Sequence, residues 1–140
     1  MRKAEKVLKG KNIRATPQRL EVYRILRETA GHLTAEEVYA RSKRLFPAIS
    51  LATVYTILEL LKSKQLVDEI RINFGRSCFE LKDCEHHHFL CNRCGRIFDI
   101  DIVPCPTLKK RQVDGHVIET FQGYFYGTCK DCKDNEDAAR

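Results

Sequence analysis

Apolar residues in the first half of the chain recur at helical spacing, interrupted by residues that start or stop helices. Thr16-Pro17 sets an N-cap before a proline at the first helical position, and Leu20, Tyr23, Ile25 and Leu26 follow at roughly helical intervals. Thr34-x-x-Glu37 is a capping-box pattern that opens a second helix, expected to end near Phe46-Pro47 because proline disfavours helix in the residue before it. Ser50 caps a third, in which Val54, Ile57, Leu58 and Leu61 form one apolar stripe, with Thr53, Tyr55, Thr56 and Glu59 largely off it. Beyond Lys64-Gln65 the pattern changes. Segments 66–72 and 78–81 predict two strands around the loop Asn73-Phe74-Gly75-Arg76. Three helices followed by a hairpin is the order of a winged helix.

The second half predicts a His-rich strand over 85–90, the turn Cys91-Asn92-Arg93-Cys94-Gly95, and a strand over 96–100. A short helix over 106–114 and strands over 116–121 and 124–127, around Gln122-Gly123, complete it. Such a module is small, and its core is thin without a staple. The charged tail after Cys132 is expected to fray. The chain therefore reads as α+β, divided into a winged-helix domain (1–82), a hinge leading into a His-rich strand (83–88), a second domain (89–133) and a disordered tail (134–140).

Charge separates the two halves. Residues through Gly75 carry 15 Lys/Arg against 8 Asp/Glu, a net +7, whereas the remainder carries 10 against 11, a net −1. A basic half joined to a near-neutral half points to a polyanion as partner of the first. No run approaches the length of a bilayer span, and Met1-Arg2-Lys3-Ala4-Glu5 has no signal-peptide core, so a cytoplasmic protein is expected.

Seven cysteines are many for a reducing compartment unless most of them bind metal. Cys91-x-x-Cys94 and Cys129-x-x-Cys132 each present two thiolates from a tight turn, and together complete a closed, structural Zn²⁺ site. A redox role for the pairs would need a thioredoxin-type βαβ context, which the pattern lacks. Cys78, Cys84 and Cys105 are scattered and read as ordinary small residues.

On a strand, His86 and His88 share a face and His87 points away. Glu80 and Asp99 lie on predicted neighbouring strands, and His32 lies in the loop before the second helix. Three imidazoles and two carboxylates make a mixed N/O set suited to Fe²⁺, Mn²⁺ or Zn²⁺. For each carboxylate the alternative is a solvated surface charge, and for His32 a capping or loop residue. His116 reads as a packed or surface histidine.

Taken in order, Ala15-Thr16-Pro17-Gln18-Arg19, His32-Leu33-Thr34-Ala35-Glu36, Ile49-Ser50-Leu51-Ala52-Thr53-Val54-Tyr55, His86-His87-His88 with Cys91-x-x-Cys94-Gly95, and Tyr126-Gly127-x-Cys129-x-x-Cys132 resemble the ferric uptake regulator family over nearly the whole chain. The resemblance implies a homodimeric repressor with a winged-helix DNA-binding domain, a small α/β dimerisation domain and a regulatory metal between them. It places the regulatory Fe²⁺ or Mn²⁺ on His32, Glu80, His86, His88 and Asp99, and the structural zinc on Cys91, Cys94, Cys129 and Cys132. Asp99 and the short spacing from Glu80 to Cys91 resemble the family's peroxide-sensing branch, although Glu80 stands where that branch usually has aspartate. In that branch His32 and His86 would be the imidazoles oxidised by Fe²⁺ and peroxide. Phe121 and Pro106 replace or displace ligands of a further metal site of relatives, so no second exchangeable site is expected.

The resemblance also implies a palindromic, AT-rich DNA operator. Thr53, Tyr55 and Thr56 are placed to reach base edges, Arg14 resembles the family's minor-groove residue, and Arg19 and Lys62 are candidate phosphate contacts. The expected activity is that of a regulator, not an enzyme. An iron- or manganese-responsive repressor without peroxide chemistry, a mononuclear metalloenzyme and a purely structural zinc module are the competing readings.

Overall fold

The computed structural model describes residues 2–29, 31–73, 75–82, 86–101, 110–119 and 121–138. The chain divides into two compact units, Met1–Asp83 and Cys84–Arg140. No helix among the described residues is long and apolar enough to cross a membrane.

The first unit contains α1 (Arg2–Gly10), α2 (Pro17–Glu28), β1 (Leu33–Thr34), α3 (Ala35–Ser42), α4 (Leu51–Ser63), β2 (Val67–Asn73) and β3 (Arg76–Leu81). The caps expected from sequence are in place. The Thr16 side chain accepts from Arg19 N, Thr34 and Glu37 form the reciprocal capping box, and Ser50 Oγ accepts from Thr53 N at 3.1 Å. Two helices end in the same way. In α1 the Ile13 and Asn12 amides donate to Leu8 O and Lys9 O, and in α4 the Leu66 and Gln65 amides donate to Leu61 O and Lys62 O. Asn12 and Gln65 both take φ 57°, so each terminus is a Schellman motif built on a residue other than glycine.

The helices enclose a core in which Leu8, Val22, Val38, Val54, Leu58 and Leu61 are fully buried against Phe79 of β3. All four residues of the expected α4 stripe are buried. β3 is the centre of a three-stranded sheet in the order β1-β3-β2, antiparallel throughout, with a register shift between Ile70 and Asn73 near the hairpin tip. This is a winged helix with one helix more than the apolar pattern predicted. Another difference is that α3 stops at Ser42, short of Phe46-Pro47, where the Leu45 and Phe46 amides fold back onto Ser42 O in tight turns.

The second unit contains β4 (His87–Cys91), β5 (Ile97–Ile100), β6 (Gln112–Val113), β7 (His116–Val117), β8 (Tyr124–Gly127) and α5 (Lys130–Ala138). β4 is central, antiparallel to β5 and parallel to β8. Three expectations are corrected here. The part of the predicted 106–114 helix that is described forms the two-stranded pair β6–β7 instead, because Asp114 and Gly115 both take positive φ, 51° and 81°, as a tight Asp-Gly hairpin requires. β8 does not return beside 116–121; it pairs with β4. The segment after Cys132, expected to fray, continues α5 to Ala138, its first turn tied down by the cysteines. Buried apolar residues are few in this unit, chiefly Leu90, Cys91 and Cys129. Residues 106–109, Cys84, Glu85 and Cys105 lie outside the described residues.

Candidate metal centres and nucleic-acid interface

Parallel pairing explains how cysteines 35 positions apart come together. Cys91, at the end of β4, is the register partner of Gly127, at the end of β8, so both CxxC segments leave the sheet from the same end. The first is a turn closed by Gly95 N to Cys91 O and Cys91 N to Arg96 O, with Gly95 at φ 70°. The second straddles the start of α5, where Cys129 O accepts from Lys133 N. A helix N-terminus favours negative charge, and with it a thiolate.

The four sulfur atoms lie within 4.8 Å of one another, with Cys91 Sγ 3.9 Å from Cys132 Sγ and Cys94 Sγ 3.8 Å from Cys129 Sγ. A tetrahedral ion with bonds of about 2.3 Å to sulfur spaces its ligands by about 3.8 Å, so the cluster fits Zn²⁺. The surroundings already favour the thiolate at Cys91 and Cys94. Hydrogen bonds from the backbone at Cys94 and Cys129 pull Cys91 down to about 6, and the Arg96 guanidinium lowers Cys94. A hydrogen bond with the Cys129 thiol and burial push Cys132 up to about 12. A divalent cation relieves the mutual repulsion of four thiolates.

The histidines and carboxylates form a set in each unit. In the second, His88 is the register partner of Asp99 across β4–β5. The His86 and His88 rings meet edge to face at 4.7 Å, and their Nε2 atoms lie 3.4 and 3.7 Å from the same Asp99 oxygen. His87 points to the other face, toward Phe121 and Phe125. In the first unit His32 Nε2 is 3.0 Å from Glu80 Oε2, with side chains 9% and 11% exposed. His32 precedes β1 and Glu80 lies on β3, and the β1–β3 pairing brings the two together.

On the candidate DNA face, Tyr55 and Thr56 are exposed on α4 and Thr53 is half-buried beside the Ser50 cap. The Tyr55 hydroxyl donates to Glu36 Oε1 at 3.3 Å. Arg14 is exposed, and Arg19 donates to Arg14 O at 3.1 Å, tying two candidate contacts into one loop. Lys62 is held in ion pairs with Glu59 and Glu69. Glu69 was missed in the sequence reading. Burial acts to raise its carboxyl, but hydrogen bonds from Lys62, Ser77 and Arg71 win and hold it near 2.

Of the scattered cysteines, Cys78 is buried in β3, where desolvation and the Glu37 carboxylate push its thiol up, away from reactivity. His116 is exposed on β7, and Phe121 is exposed as well.

Residues 10–122 match the ferric uptake regulator family. The peroxide-responsive repressor PerR of Staphylococcus epidermidis is 33% identical over 132 residues, covering 91% of this chain and 86% of that protein. Among solved structures, the Campylobacter jejuni peroxide stress regulator superposes with a TM-score of 0.64 at 31% identity, covering 94% and 97% of the two chains. The Helicobacter pylori ferric uptake regulator reaches 0.70 at 22% identity, covering 94% and 90%, and supports the fold.

Proposed function

Because the chain belongs to the ferric uptake regulator family, we propose that it is a metal-dependent repressor that binds a palindromic, AT-rich operator as a homodimer and releases it on exposure to hydrogen peroxide. The observation that carries this reading is the convergence of His86, His88 and Asp99 on one face of the β4–β5 pair. Two imidazoles and a carboxylate are an incomplete mixed set that suits Fe²⁺ or Mn²⁺ once further ligands join. In our reading those are His32 and Glu80. The four cysteines hold a separate, structural Zn²⁺.

Filling such a site favours the operator-binding form of the protein. When bound, ferrous iron would supply the electrons that reduce peroxide and direct oxygen onto an imidazole. The chain's own part is to hold His32 and His86 as ligands until that happens. Loss of His32 as a ligand weakens metal binding and frees the operator. Two relatives above 30% identity are described by their response to peroxide, which favours this branch. Glu80 favours the second reading, an iron- or manganese-responsive repressor that does not react with peroxide.

The test is operator binding with Mn²⁺ or anaerobic Fe²⁺, before and after a brief low dose of peroxide, with intact mass recorded. Loss of binding in the iron sample alone, with added oxygen on the His32 or His86 peptide, is expected. Metal-dependent binding that survives peroxide in both samples selects the second reading.

A further inference from the structure

The four sulfurs are not equally protected. Cys91 and Cys129 are buried and Cys132 is half-buried, but Cys94 is exposed. Attack by a chelator or by water therefore begins at Cys94. Arg96 stands at that corner and makes three contacts. Its Nε donates to Cys94 Sγ at 3.4 Å, its Nη2 pairs with Asp131 Oδ2 at 2.7 Å, and its guanidinium lies 5.3 Å from the centre of the Phe98 ring. Asp131 belongs to the first turn of α5, between the two cysteines of the second pair, and Phe98 belongs to β5.

From these contacts we propose that Arg96 is a positioning residue of the four-cysteine site, holding the Cys94 sulfur in its ligating place and slowing the loss of zinc. Four thiolates around a divalent ion leave a net charge of −2, and a cation donating to the exposed sulfur stabilises that charge where water competes for it. Outer hydrogen bonds of this kind orient ligands, and their removal typically costs about 10- to 100-fold in metal affinity. The forked guanidinium is what allows one arm to reach sulfur while the other reaches Asp131; a lysine carries the same charge as a single point. Phe98 holds the plane of the fork. The inference rests on the four cysteines binding zinc.

The experiment is transfer of zinc from the purified full-length protein to an excess of chromogenic chelator, comparing wild type with Arg96→Ala, Arg96→Lys and Asp131→Asn, and with folding followed by circular dichroism. Zinc release about tenfold faster in R96A is expected, with R96K in between and D131N close to wild type, because the bond to Cys94 survives in D131N. If R96A does not fold, faster release from R96K than from D131N carries the same conclusion. Release from R96A at the wild-type rate overturns the proposal. Equal acceleration in D131N and R96A also overturns it, since Arg96 would then act only as a tether between the turn and α5. Wild-type protein isolated without zinc would show that the four-cysteine reading itself fails, a result that differences among the variants cannot mimic.

Discussion

His88 lies directly across the β4–β5 ladder from Asp99, and one oxygen of that carboxylate also faces His86. The aspartate is thus shared by two imidazoles before any ion arrives. Replacing it takes that shared carboxylate from both. Asp99→Ala is expected to weaken Mn²⁺-dependent operator binding by more than about tenfold, the scale of losing a metal-site contact. Zinc content should stay at the wild-type level. Titrating operator binding with Mn²⁺ and measuring metal by mass spectrometry checks both; an unchanged Mn²⁺ midpoint would remove Asp99 from the site.

Glu69 ties β2 to the end of α4 through Lys62, and its lowered carboxyl makes the first unit's stability depend on acid. The group is shifted from 4.5 to about 2, so its contribution is fully present above pH 4.5 and is lost as pH falls toward 2. The shift corresponds to at most about 3 kcal/mol. Glu69→Gln should therefore melt lower than wild type at pH 7, and the two curves should approach each other below pH 4. A constant gap across that range would show that the carboxylate's charge plays no part.

Tyr55 and Lys62 lie on the same helix but should act differently on DNA. Tyr55 offers an exposed ring near the start of α4, its hydroxyl on Glu36, whereas Lys62 sits at the helix end between two glutamates. Tyr55→Ala is expected to reduce the preference for operator over random duplex by about 1–3 kcal/mol, the value of a base-edge contact. Lys62→Ala should weaken both duplexes alike. Competition binding at fixed salt distinguishes them, and equal losses of preference in the two variants would refute the assignment.

Removing zinc should affect the two units unequally. The first has an extensive core of its own, while the described residues of the second bury little besides Leu90, Cys91 and Cys129. In Cys91→Ser or after exhaustive chelation, protease cleavage is expected beyond Asp83 while the winged helix stays resistant. Uniform digestion of both units would contradict this.

What could be read in the sequence was local. Thr16, Thr34 and Ser50 cap the helices they precede because the capping oxygen lies three residues from the amide it accepts, and the α4 stripe follows directly from the helical period. The four-cysteine cluster was legible because its signal is the spacing within each pair. α1 was not anticipated, since its end uses Asn12 where a glycine would have been the clearer signal. Asp114 was read as the end of a helix although, with Gly115 after it, it makes a strong hairpin signal. The β4–β8 pairing joins distant segments, and no local pattern encodes it. Arg96 was passed over because a basic residue after a CxxC-Gly turn looks like an ordinary surface charge.

The parallel alignment of β4 with β8 also sets an order of events during synthesis. Every contact of the winged helix is available once the chain reaches Asp83, whereas the central strand of the second sheet must wait for its partner at 124–127. Domains fold as units from the N-terminus as the chain is made, and pairings between distant segments form late because loop closure costs entropy. A nascent chain interrupted before Tyr124 would thus display a finished winged helix attached to an unclosed sheet, with Cys91 and Cys94 still lacking the second cysteine pair.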